Sequence, residues 1–355
     1  GGSAGTRSVT DMLKPDQKLA IHFFEQIDKL NGKMGHAVLR YSRNPVACAI
    51  DFNHSGSSTR DLVDFGPDVP VLASVDEAVA AGGEVLILGM APSGGRLPAE
   101  MVAEVDKAVA AGMSVINGLH EHLGPRYPDL APGQWIWDIR REPQDLGIAW
   151  ARAAGLKNRR ALLVGTDMAV GKMTAGLEIW QAALDEGVRA EFLATGQIGI
   201  LVSGKGIPLD AIRVDYACGA VEKIVMEAGD AELALVEGQG SIVHPGSSST
   251  LPLMRGSCPT HLVLCHRAGM THLDTVGEPV TVPPLNDIIA LYEDIASACG
   301  TFTRPVTVGI AVNTAHLDAE AAARATAAIQ DETGRLTVDP VRDGAKELVN
   351  ALMTS

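Results

Sequence analysis

The stretch that decides the fold is Ala161-Leu162-Leu163-Val164-Gly165-Thr166-Asp167-Met168-Ala169-Val170-Gly171-Lys172-Met173-Thr174. Five apolar or small residues read as a buried strand, a glycine turn follows, and the pattern from Ala175 to Leu184 predicts a helix. A helix start carries unpaired N–H groups and a partial positive charge, so anions dock there. Gly171 lets the backbone approach a phosphate, and Lys172 adds a mobile cation. The stretch therefore predicts a phosphate-binding loop made of Gly165, Thr166, Met168, Ala169, Val170, Gly171, Lys172, Met173 and Thr174. Met173 stands where a nucleotide hydrolase places the hydroxyl that holds magnesium, and Thr174 comes one residue late. That weakens the case for Mg·ATP chemistry and leaves diphosphate binding intact.

Outward from the loop, strand-like and helix-like segments alternate. After it, strands are predicted at 190–195, 233–237, 261–265 and 306–313. Before it, strands are predicted at 45–51, 84–89 and 114–118, with helices at 16–30, from Ser74 and over 98–111. The fold class expected is α/β with two parallel-sheet domains, a Rossmann-like one over 12–150 and a P-loop one over 151–355. The junction falls between 142 and 158. Gly1 to Thr6 reads as an appended tag, and residues 1–11 are set aside as tag or disordered segment.

Composition narrows the function. The 355 residues are 46% hydrophobic and 20% charged, which excludes a wholly disordered chain. No apolar run reaches membrane-spanning length. A net charge of −14 and 4% aromatics argue against nucleic-acid binding. Five cysteines without a CxxC suit a reduced, cytoplasmic protein that begins without a signal peptide. His120-Glu121-His122 and Cys265-His266 with His272 are the densest ligand clusters, yet neither has zinc spacing, so no metal site is expected. Small-molecule substrates, no membrane or nucleic-acid partner and a homo-oligomer are the expectation.

The loop has five residues, not four, between its two glycines, and so resembles the GTDxxVGKT motif of dethiobiotin synthetase-like P-loop proteins. Leu235-Val236-Glu237-Gly238-Gln239-Gly240 resembles their VEGAGG segment. Val308–Asn313 resembles the strand whose terminal Asn reads an adenine edge in that branch, which makes Asn313 a cofactor-binding candidate. Together with Gly89–Pro98, Gly118–Gly124, Ile136–Arg140, Thr195-Gly196-Gln197 and Asp339–Arg342, these residues make the chain similar, from about residue 34 onward, to a former domain-of-unknown-function family. That family pairs a Rossmann-like domain with a P-loop domain and includes D-glutamate N-acetyltransferases. The resemblance implies acetyl-CoA as co-substrate. The alternatives are an ATP- and Mg²⁺-dependent ligase or kinase like dethiobiotin synthetase, and a nucleotide-binding regulatory protein.

Acyl transfer to an amine needs a base and oxyanion donors. Glu237 and His244 are candidate bases, and Asp167, inside the loop, is expected to face the acceptor amine or a backbone donor. Gln197, Gln239 and Ser247 are candidate polar contacts to substrate. Arg43, Arg96 and Arg255, in or near predicted loops, are the candidate partners of a dicarboxylate. Asp210 and Asp215 read as helix caps.

Overall fold

A computed structural model describes residues 12–355. The expectations for residues 1–11 fall outside the described residues. The chain divides into two compact units. Among the described residues, one comprises 12–143 together with Gly196–Ala211, and the other comprises Gln144–Thr195 and Ile212–Ser355.

The first unit runs β1 (Leu19–His22), α1 (Lys33–Tyr41), β2 (Val46–Ile50), β3 (Val71–Leu72), α2 (Val75–Ala80), β4 (Val85–Leu88), α3 (Ala99–Ala110), β5 (Ser114–Asn117) and β6 (Ile136–Asp138). All pairs are parallel and the spatial order is β3-β2-β1-β4-β5-β6. This is the doubly wound order, with its switch point between β1 and β4. Residues 16–30, expected to be helical, instead contain β1, the strand on which the sheet is centred. Leu19–His22 are all buried between two parallel neighbours. A short apolar run carries no period that separates a buried strand from a buried helix. Helix α2 begins as its sequence suggests: Ser74 Oγ accepts the Glu77 N–H, and Glu77 returns to the Ala73 N–H.

The second unit opens with β7 (Arg159–Gly165) and α4 (Lys172–Asp185), followed by β8 (Ala190–Leu193). The chain then contributes α5 (Gln197–Ser203) to the first unit, where it packs on α1. It continues with α6 (Val214–Glu227), β9 (Leu233–Val236), α7 (Thr250–Ser257), β10 (His261–Arg267), α8 (Leu285–Ser297), β11 (Val306–Asn313), α9 (Ala319–Thr333), β12 (Thr337–Val338) and α10 (Lys346–Thr354). The sheet order is β12-β11-β10-β7-β9-β8, again all parallel. β7 therefore lies inside the sheet between β9 and β10. Its residues from Arg160 to Gly165 are all buried, as expected for a parallel strand covered on both faces. Among the described residues no helix is long and apolar enough to cross a membrane.

Candidate functional site

In the second unit the carboxyl ends of β7, β9, β10 and β11 meet around one turn. The β7 strand ends at Gly165, whose carbonyl accepts from Tyr292 Oη at 2.5 Å and from Ser241 Oγ at 2.8 Å. Thr166 donates its N–H to the Cys265 carbonyl, and its hydroxyl shares a 2.9 Å hydrogen bond with His266 Nδ1. Burial pushes His266 down to about 4, so the ring is neutral at pH 7.

Asp167 is buried, and both of its oxygens meet backbone donors. Met168 N–H reaches Oδ1 at 2.7 Å and Asp274 N–H reaches Oδ2 at 2.7 Å. Of the two roles expected for it, the structure carries the backbone one: it ties the loop after β10 to the phosphate loop.

Gly171 closes the turn at φ +94°, a left-handed conformation that favours glycine. Helix α4 starts at the next residue, and the N–H groups of Lys172, Met173 and Thr174 have no carbonyl one turn back within the helix. Lys172 is only 5% exposed, and its ammonium donates to the Asp167 and Met168 carbonyls at 2.8 and 2.9 Å. Burial holds it below the ordinary lysine value, with Cys265, Asp167 and Glu237 pulling the other way. Met168 and Ala169 form the exposed outer edge of the loop, while Val170 is buried beneath it.

Glu237 follows β9 and is buried. Its Oε2 accepts the Thr195 N–H at 2.8 Å, and its carbonyl accepts the Thr195 hydroxyl at 2.8 Å. Gly238 comes so close to the β7 backbone that a Cβ there would lie 1.8 Å from the Leu163 carbonyl and 2.9 Å from Lys172 Cδ. Only glycine lets these two strand ends converge on the lysine. Asn313, at the end of β11, reaches the same place: its Nδ2 would be 3.7 Å from a Cβ on Gly171. Gln239 Nε2 donates to Thr195 Oγ1 at 3.3 Å, and Ser247 Oγ accepts the Ser241 N–H at 2.9 Å. His244 is committed at both nitrogens: Nδ1 accepts the Gly246 N–H and Nε2 meets the Asp274 carbonyl, each at 2.9 Å. Its acceptor lone pair is thus spent within the loop.

Of the remaining residues expected at the site, Arg255 belongs to the second unit and Arg43, Arg96 and Gln197 to the first. Arg255 donates to the Ile295 and Ala296 carbonyls, closing the end of α8. Arg43 precedes β2, at the amino-terminal end of the first sheet. Arg96 is exposed beyond β4, and Gln197 opens α5, both in the first unit. Gln197 lines a cavity of about 380 Å³ with Met34, Ala91, Pro92, Gly94, Gly118, Leu119, His120 and Arg140. Asp210, expected to be a cap, is the ion-pair partner of Arg140 at 2.5 Å. Tyr292, Ser241 and Asp274 are structural partners that sequence reasoning did not single out, and His266, weighed there only as a metal ligand, is a fourth. Each lies more than 70 residues from the atom it holds in the loop, and no local pattern marks it.

A strand, a glycine turn and a lysine-led helix at the ligand end of a parallel sheet, joined to a doubly wound unit, define a two-unit P-loop protein. A family model described as the domain of unknown function DUF1611_C, P-loop domain, matches residues 147–349, and its companion DUF1611_N, Rossmann-like domain, matches 52–142. The chain belongs to this family. A D-glutamate N-acetyltransferase from Tritonibacter scottomollicae is 35% identical over 79% of this chain and 84% of its own length. One from Pseudoalteromonas sp is 33% identical over 78% and 83%. A crystal structure of a DUF1611 family protein from Anabaena variabilis shares 48% identity, covering 96% of this chain and 100% of that one, with a TM-score of 0.85. The family to which the chain belongs thus contains N-acetyltransferases, and the two-domain α/β architecture expected from the sequence is the observed one.

Proposed function

We propose that the protein transfers an acetyl group from acetyl-CoA to the amine of a small acidic amino acid, with D-glutamate as the first candidate. The observation that carries this reading is the relationship to two proteins named for that reaction over more than three quarters of the chain. The loop chemistry supports the choice of carrier. A thioether at Met173 is a poor ligand for Mg²⁺, which prefers hard oxygen donors. A diphosphate needs no such ligand when a lysine and helix N–H groups face it.

In this reading Lys172 and the first-turn N–H groups of α4 hold the diphosphate, and Asn313 meets the adenine. The acyl carrier supplies a thioester. The amine nitrogen bonds to its carbonyl carbon, the C–S bond breaks, and the sulfur leaves with the electron pair as a thiolate, which takes the second proton shed by the nitrogen. Glu237 takes the ammonium proton. Its carboxylate accepts the Thr195 N–H and lies within the field of the Lys172 ammonium. Asp167 and His244 hold the loop that carries Lys172 rather than the proton.

The test mixes purified protein with acetyl-CoA and either D- or L-glutamate. It follows thiol release and the mass of N-acetylglutamate, with calorimetry of acetyl-CoA, ATP, and ATP plus Mg²⁺ alongside. Thiol release coupled to product with the D enantiomer, and metal-independent acetyl-CoA binding, are expected. Magnesium-dependent ATP binding with phosphate release and no acetylated product would replace this reading with the ligase or kinase one.

A further inference from the structure

We propose that Arg267 recognises the 3′-phosphate of the acyl carrier's adenosine and so selects it over carriers and nucleotides that lack this group. The inference rests on the acyl-carrier reading above and adds to it a residue that discriminates between ligands.

Arg267 is the last residue of β10, the strand between β7, which carries the phosphate loop, and β11, which carries Asn313. In the parallel register Arg267 pairs with Asn313, so the two side chains leave the same face of the sheet at neighbouring positions. The Asn313 amide approaches Gly171 at the end of the phosphate loop. The next residue after Arg267 is fixed to the same place, since Ala268 N–H donates to the Asn313 carbonyl at 3.1 Å. The segment that starts at Arg267 is held to the phosphate loop again at Asp274, whose N–H meets Asp167. Arg267 therefore has a defined base at the rim where a diphosphate and an adenosine would lie side by side.

Its charge is uncommitted there. Arg267 is the one exposed residue of β10, and among the described residues its guanidinium makes no hydrogen bond or ion pair. The other arginine of this edge is different. Arg342 is spent on Thr314 Oγ1, the Thr314 and Leu317 carbonyls and Asp339, and so shapes the loop after β11. In a chain with a net charge of −14, an arginine without a carboxylate beside a phosphate loop is fit for an anion. A coenzyme A carries a phosphate on the adenosine ribose in addition to the diphosphate that Lys172 takes. A planar guanidinium matches a phosphate by two parallel hydrogen bonds.

The experiment compares acetyl-CoA with acetyl-dephospho-CoA, by calorimetry and by steady-state kinetics, on the unaltered full chain and on Arg267→Gln and Arg267→Lys. The unaltered chain is expected to favour acetyl-CoA by about tenfold to a hundredfold, the range of a charge-assisted contact. Arg267→Gln should lose that preference while binding the dephospho form as before, and Arg267→Lys should recover part of it. Equal binding of the two carriers by the unaltered chain overturns this inference and leaves the acyl-carrier reading standing. An equal loss for both carriers in Arg267→Gln also overturns it, since a structural role would not change the ratio. If the unaltered chain binds neither carrier, the acyl-carrier reading falls and this inference falls with it.

Discussion

Acid should loosen the phosphate loop through one histidine. His266 is buried at the end of β10, its Nδ1 tied to the Thr166 hydroxyl, and burial lowers it from the ordinary 6.5 to about 4. Between those values the unfolded chain binds a proton that the native chain refuses, so stability rises with pH across the window. The contribution is fully present above about pH 6.5 and is lost as pH falls toward 4. The complete gap corresponds to about 3 kcal/mol, of which about 2 kcal/mol is gone by pH 5. His22 and His261 are also lowered by burial and add to the slope of the unaltered protein. The comparison with His266→Gln, whose amide can still meet Thr166, isolates the single ring. Hydrogen exchange of β7 amides reads the second unit directly and avoids treating two units as one transition. From pH 8 to pH 5 the unaltered chain should lose about 2 kcal/mol more protection than the variant. Parallel pH profiles for the two proteins would show that His266 does not titrate in this window and would refute the argument.

Lys172→Ala should weaken acetyl-CoA by about 1.5–3 kcal/mol, the worth of a charged hydrogen bond, and calorimetry reads it; an unchanged dissociation constant removes Lys172 from the ligand. Gly238→Ala forces a Cβ to 1.8 Å from the Leu163 carbonyl, so the strand ends must part. A loss of about 1–3 kcal/mol or more is expected in thermal unfolding, together with weaker ligand binding. A native melting temperature with native affinity would mean that the close approach is not needed. Glu237→Gln should lower kcat far more than it changes carrier affinity; a loss of affinity with normal turnover per bound ligand would take the base role from Glu237.

What the sequence reveals and what it hides divide along physical lines. The phosphate loop is readable because every instruction for it is local: a buried run, two glycines, a lysine and a helix pattern lie within 24 consecutive residues, 161–184. Parallel strands such as β7 and β11 announce themselves as apolar runs because both faces are covered. β1 escapes the same reading, since four buried residues inside a longer apolar pattern fit a helix as well as a strand. The assignment of Gly196–Ala211 to the first unit is equally hidden, because it is set by contacts between residues distant in sequence, which no local pattern reports. Candidate bases were readable as residue types and not as states. Whether His244 keeps a lone pair depends on where the Gly246 N–H points, and a sequence does not carry that direction.

The hidden partners also explain why the loop needs so large a scaffold. Lys172 is a buried cation whose two recorded acceptors are carbonyls of its own loop, so its position is only as good as the position of those carbonyls. They are held in turn by Asp167, and Asp167 is held by an N–H that arrives on the segment after β10. Gly165, at the root of the turn, takes hydrogen bonds from the helix α8 tyrosine and from the serine after β9. Loop, lysine and carboxylate therefore form one connected set spread over three strand ends and helix α8. Changes that loosen any link should appear as altered ligand affinity before they appear as altered chemistry, because each acts on where the ammonium sits and none on its charge.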